Sequence, residues 1–463
     1  MTSGADPSLV AYVPPDARRP AWLDALAVYL QPRVLIVLFL GFSAGLPLAL
    51  SGSTLTIWMR ESGVNLETIG LFSLIGTPYA VKFAWAPIVD GIDLPLLARL
   101  LGRRRAWLVL SQFLLIAAIV FLAFSNPAVS PALVAIAALC VATASATQDI
   151  VIDAFRIESL DDREQAAGMA SYVAAYRIGM LASTAGALFL VSAFEATGIG
   201  RDGAWTWGYV AMAGLVVIGI VTTLVATEPD KSAVAEAVHA RENPVVRVAK
   251  AAFGAFSEFL SRDMAVAVLA FVVLYKFTDA FAGAMTAPFV IDLGFSRNEY
   301  AAIVKGVGLA ATLIGGFAGG LVARAFPLAT SLWIGGILQA FANLSFSWLA
   351  TIGTSIPALT FAITAENFTS AIGTVIFVAY LSALCRNPLH TATQYALLTA
   401  LSAVGRTYLS AIAGYVAAAS GWSAFFAICV AVALPSFAIL ALLQARGHFS
   451  KLAIEPTRAE SVR

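Results

Sequence analysis

Residues 147–180 read TQDIVIDAFRIESLDDREQAAGMASYVAAYRIGM, two apolar stretches that carry charge within them and are joined by a short polar turn. Asp149 and Asp153 are four apart and Arg156 is three beyond Asp153, so on an α-helix two carboxylates and a guanidinium share one stripe. After the turn, Arg177 lies 12 residues past Gln165. At ~1.5 Å per residue that is roughly 18 Å along a helix, or mid-membrane if the helix spans. Ionisable groups at such depth are costly and normally face a bundle interior or a water-filled path. This stretch predicts a chain of membrane-spanning helices whose function lies in its interior.

Composition agrees. The 463 residues are 60% hydrophobic and 12% charged, with a mean hydropathy of +0.86, against roughly 25% charged for a soluble domain. A net charge of +1 and the lack of basic runs with interleaved aromatics argue against nucleic acid. Cys140, Cys385 and Cys429 stand singly in apolar segments, which is neither a disulfide framework nor metal-ligand spacing. His239, His390 and His448 fall in loops or the tail, which leaves no intramembrane histidine relay.

Twelve spans are predicted, at about 34–58, 67–90, 105–124, 131–157, 165–194, 203–226, 263–291, 297–324, 327–350, 355–384, 391–419 and 421–445. The expected organisation is a cytoplasmic tail (1–33), a six-helix bundle (34–226), a polar cytoplasmic loop (227–262), a second six-helix bundle (263–445) and a cytoplasmic tail (446–463). With both termini cytoplasmic, twenty of the 28 Lys and Arg fall on cytoplasmic segments. Arg60, Arg201 and Arg297 fall outside, and Lys82, Arg177, Lys276, Lys305 and Arg406 within spans. The positive-inside rule selects that orientation.

The two sets of six echo one another at one point. Gln165 precedes Arg177 by 12 residues in span 5, and Gln394 precedes Arg406 by 12 in span 11. Two parallel six-span repeats are the plan of major facilitator transporters, whose site lies between the halves near the midplane.

Arg177, Arg406, Lys276, Lys82, Gln339 and Asn343 are accordingly the candidate substrate-binding residues. A proton-coupling group must change charge between the two faces, which restricts the choice to carboxylates. Glu366 ranks first because no basic residue lies three or four positions from it, Asp149 second, and Asp279, which has Lys276 three positions before it, third. Asp90, Arg103, Arg104, Arg105, Asp153 and Arg156 form a candidate cytoplasmic gate. Asp149, Asp153 and Arg156 read equally as a structural charge network, Arg103 to Arg105 as topological signals, and the Trp residues near span ends as interface anchors. Tyr79, Tyr172, Tyr176, Tyr275 and Tyr380 are an aromatic supply for sugar faces, or simply core.

The stretches GFSAGLPLALSGSTLTIWM (41–59), TIGLFSLIGTPYAVKFAWAPIVD (68–90), GRRRAWL (102–108), ATQDIVIDAFRIESL (146–160), AAYRIGMLAS (174–183), VLYKFTDAF (273–281), AENFTSAIGT (365–374) and ATQYALLTALSAVGRTYLSAIAGYVAAASGW (392–422) resemble the AmpG family of bacterial muropeptide permeases. The resemblance implies an all-α major facilitator protein of the inner membrane that imports anhydromuropeptides with the proton motive force for peptidoglycan recycling. It implies a monomer whose partners are an anionic glycopeptide, protons and the bilayer, with no cofactor. The same wider family is similar to acetyl-CoA transporters, so another anionic metabolite such as an acyl-CoA is the alternative cargo. A transport-inactive sensor is a further alternative. No nucleophile with a base, metal-ligand set or phosphate loop marks an enzyme.

Overall fold

The computed structural model describes residues 28–91, 93–161, 164–229, 260, 263–384 and 391–454. Most of the tail 1–33, the loop 227–262 and the segment around Arg386 lie outside the described residues, as do the side chains of Asp90, Gln165 and Gln394.

Among the described residues, ten helices are long and apolar enough to cross a membrane: Pro32–Glu61, Arg103–Ala123, Pro131–Ser159, Ala167–Ala196, Arg201–Val225, Ala265–Asp292, Arg297–Ala325, Leu328–Ile352, Ile356–Leu384 and Trp422–Ala445. They coincide with ten of the twelve expected spans. The other two, spans 2 and 11, are helical but segmented. Span 2 runs from Leu66 to Gly91 through 3-10 turns at Phe72–Gly76 and Lys82–Ala84. Span 11 starts at Thr391 and passes through a π segment at Gly405–Leu409 and a 3-10 turn at Ser410–Ile412. Each has local chemistry that permits the break. Pro78 removes a donor from span 2, and Gly405 stands at the break in span 11.

Span ends follow the usual capping rules. Asn65 accepts from the Thr68 amide at 2.9 Å to start span 2, and Ser130 with Pro131 behind it starts span 4. Ser296 and Glu299 form a reciprocal capping box at the head of span 8. Small residues bring helices together inside each set of six. Gly41 and Gly45 lie against the span 5 backbone at Tyr172 and Tyr176, and Gly315 and Gly319 against span 10 at Phe368 and Ile372.

Because twelve helices cross in turn, Pro32 and Ala445 lie on one face, here called the terminal face. Glu61, Asp292 and Trp422 lie on the other, distal face. Spans 2 and 11 meet near the distal face, where Gly70 and Gly414 approach so closely that a Cβ on Gly70 would sit 2.8 Å from the Gly414 nitrogen.

Candidate functional site: a cationic cavity between the two sets of spans

Among the described residues, four π-helical segments interrupt the bundle, at Leu50–Thr54 (span 1), Ala182–Gly186 (span 5), Tyr300–Val307 (span 8) and Gly405–Leu409 (span 11). A π turn is strained relative to an α turn and tends to persist where it serves a site. All four contribute walls to the same internal space. The first contains a true kink, with Gly52 at φ −103°, ψ −110°. Pro47 precedes it, and Ser51 donates its hydroxyl back to the Pro47 carbonyl at 2.8 Å.

The space has two joined compartments, of about 420 and 550 Å³, which share Ser51, Gly52, Phe72, Ser73, Gly283 and Ala284. Residues from both sets of six line each. The smaller compartment holds Arg177 from span 5, Lys305 from span 8, and Glu366 with Asn367 from span 10. The larger holds Arg406 from span 11 with Tyr79 and Tyr176. Arg177 and Arg406, the repeat-related pair, are both exposed to this space and occupy one compartment each.

Among the described residues, Arg177, Lys305 and Arg406 form no ion pair. The Lys305 ammonium sits 5.7 Å from the centre of the Tyr300 ring, a cation–π contact that holds its stem against span 8. Glu366 accepts from the Asn367 amide at 2.8 Å. Among the described residues, three cations and one carboxylate therefore face the cavity, which leaves it net positive.

The other sequence candidates fall elsewhere. Lys276 is paired with Asp279 at 2.7 Å and donates to Thr374 at 2.9 Å, while Ser370 donates to the second Asp279 oxygen at 3.0 Å. This network ties span 7 to span 10. Gln339 and Asn343 are buried in span 9, where Asn343 donates to the Gln339 carbonyl at 3.2 Å. Lys276, Asp279, Gln339 and Asn343 are not among the wall residues of the two compartments. Lys82 is in the 3-10 turn of span 2, and its positive charge acts on Asp149 and Asp153 of span 4. Asp149 and Gln148 are buried, and Asp149 Oδ1 and both Gln148 amide atoms lack hydrogen-bond partners among the described residues. Of the aromatic supply, Tyr79 and Tyr176 line the cavity, the Tyr172 ring lies tilted against Tyr176 with centroids 6.0 Å apart, and Tyr275 and Tyr380 are core.

At the terminal face, the described partners of the expected gate lie within the first six spans and at Glu228 just after span 6. Arg104 binds Glu158 of span 4 at 2.5 Å, Arg103 approaches it at 3.9 Å, and the Arg104 and Arg105 amides donate to the Glu228 carboxylate at 2.7 and 3.0 Å. Arg105 also donates to the Thr223 carbonyl, and Arg156 pairs with Asp153 on its own helix at 3.8 Å. Asp90 is in the helix Ala86–Gly91.

The distal face carries a network absent from the sequence reading. Arg297 of span 8 binds Glu61 of span 1 at 2.6 Å and Glu195 of span 5 at 2.7 Å, with its guanidinium 5.6 Å from the Trp205 ring. Arg60 of span 1 grips Asp292 of span 7 with Nε and Nη2, and Trp422 donates to the same carboxylate at 3.1 Å. These pairs join the first six spans to the last six, at the end where Gly70 meets Gly414. The distal face is closed by charge and by close backbone packing.

Comparison with known proteins agrees with this geometry. Residues 37–407 match the Major Facilitator Superfamily. The chain is 39% identical over 417 residues to the anhydromuropeptide permease of Escherichia coli (strain K12), covering 90% of this chain and 80% of that protein. It is 35% identical to the putative transporter AmpG 4 of Rickettsia felis, covering 90% and 97%. Among solved structures it resembles the nucleoside transporter NupG (TM-score 0.64, 13% identity, 88% of this chain and 98% of that one). It also resembles a bacterial homologue of the human lysosomal transporter Spinster (TM-score 0.59, 17% identity, 92% and 95%). Two sets of six spans around a cavity walled by both, with sequence identity along nine-tenths of the chain, make this protein a member of the Major Facilitator Superfamily and, within it, of the AmpG permease family.

Proposed function

We propose that the chain imports anhydromuropeptides across the bacterial inner membrane, coupled to protons, with its termini and the terminal face cytoplasmic. The observation that carries the reading is the cavity itself, lined by Arg177, Lys305 and Arg406, none of them ion-paired among the described residues. Each uncompensated cation at mid-membrane costs about 2.5–3.5 kcal/mol, which an anionic cargo offsets when it binds. A glycopeptide brings carboxylates for the cations and sugar faces for Tyr79 and Tyr176.

Glu366 supplies the coupling. It shares a compartment with Arg177 and Lys305, so an ionised Glu366 and an anionic cargo compete for one positive field. The cargo binds best when Glu366 carries a proton, which links the two movements. Asp149 is the second candidate, held buried beside the Lys82 charge. Asp279 already has a cation of its own and ranks last. The distal network closes the periplasmic end in the present state, and the Arg103 to Arg105, Asp153 and Arg156 cluster closes the cytoplasmic end in the opposite state. The test is uptake of radiolabelled anhydromuropeptide by cells that lack their own permease and express this chain. Accumulation above the empty-vector level supports the reading, and its absence at normal membrane expression refutes it.

A further inference from the structure

The two compartments differ in chemistry, and the difference orients the cargo. The smaller one concentrates charge: Arg177, Lys305, Glu366 and Asn367. The larger one offers Tyr79 and Tyr176, with a single cation, Arg406. Lys305 brings a cation to the smaller compartment from the last six spans. It stands in the π segment Tyr300–Val307, and that segment packs on the span 5 π segment Ala182–Gly186, one turn beyond Arg177. Arg177 and Lys305 thus come from opposite sets of six and face one compartment of about 420 Å³.

We propose that Arg177 and Lys305 form a carboxylate clamp that holds the free peptide carboxylates of the glycopeptide in the smaller compartment, with its sugars in the Tyr79 and Tyr176 compartment. The proposal rests on the substrate class given above and adds the cargo's orientation and a specificity residue. The Arg177 fork fixes the carboxylate plane, and Lys305 contributes a point charge from the other side. An anion gripped by both ties span 5 to span 8, so the clamp also reports cargo to both moving halves.

Equilibrium binding to the purified full chain tests this with two probes: a radiolabelled anhydromuropeptide with free peptide carboxylates, and the same molecule with those carboxylates converted to carboxamides. The wild-type chain should prefer the acid by about tenfold, the loss expected when one desolvated charge pair is removed. Lys305→Gln should reduce that preference to about twofold, Lys305→Arg should restore most of it, and Tyr176→Ala should weaken both probes by the same factor. Retention of the wild-type preference in Lys305→Gln, or its collapse in Tyr176→Ala, overturns the assignment. Equal wild-type affinity for the two probes overturns the clamp alone, whereas no wild-type binding of either overturns the substrate class and the clamp with it.

Discussion

Arg297 and Glu61 are 236 residues apart in sequence and 2.6 Å apart in the structure, and their pairing holds span 8 to span 1 at the distal face. Both are largely buried, and the second Glu61 oxygen accepts from the Trp205 indole at 3.0 Å. Alternating access requires this contact to break whenever the distal face opens. Glu61→Gln leaves Arg297 with Glu195 alone, which should weaken closure by about 1–2 kcal/mol, or roughly tenfold in population. A cysteine at Ser73, which lines both compartments, should then react several-fold faster with an impermeant maleimide added at the distal face. An unchanged rate would mean that the pair is not a closing contact.

The meeting of Gly70 and Gly414 makes a second, steric prediction. A side chain on Gly414 would collide with the span 2 backbone at Leu66, so Gly414→Leu should hold spans 2 and 11 apart at the distal end. Overpacking of this kind costs about 1–3 kcal/mol. Uptake should fall while the purified protein stays folded and its cavity becomes more accessible from the distal side. Full uptake by Gly414→Leu would show that the close approach is dispensable.

Arg177 and Arg406 test the repeat relation. Arg→Lys keeps the charge and loses the planar fork, so each single variant should lose uptake by about tenfold at equal expression. If both Lys variants transport normally, neither guanidinium grips the cargo.

The path from sequence to these residues was uneven, for physical reasons. Span positions were legible because hydrocarbon thickness imposes a run length that composition alone reveals, and Arg177 and Arg406 because a charge deep in such a run needs a reason. The distal network was not. Arg60, Glu61, Asp292 and Arg297 sit at span ends, where charge is cheap, and their pairing across more than 200 residues leaves no local periodicity. Gln339 and Asn343 attracted notice as polar groups in an apolar run, yet Asn343 finds its partner in the span 9 backbone. Lys305 was counted as an in-span charge without a role, because the π segment that turns it into the cavity has no sequence signature.

Glu366 carries the coupling prediction. In Glu366→Gln the side chain stays neutral, so the cargo still binds but its movement no longer carries a proton. Substrate exchange across the membrane should persist while gradient-driven accumulation is lost. A variant that still concentrates cargo against its gradient removes Glu366 from the coupling role and moves attention to Asp149.

The most direct test of a proton-coupled anhydromuropeptide importer is uptake of the radiolabelled compound into proteoliposomes that contain only this protein, with and without an imposed pH gradient, acid outside. The account predicts accumulation above the external concentration with the gradient, simple equilibration without it, and loss of accumulation when a protonophore is added. Equal uptake in the two conditions would contradict proton coupling, and no uptake beyond protein-free liposomes would contradict the assigned cargo.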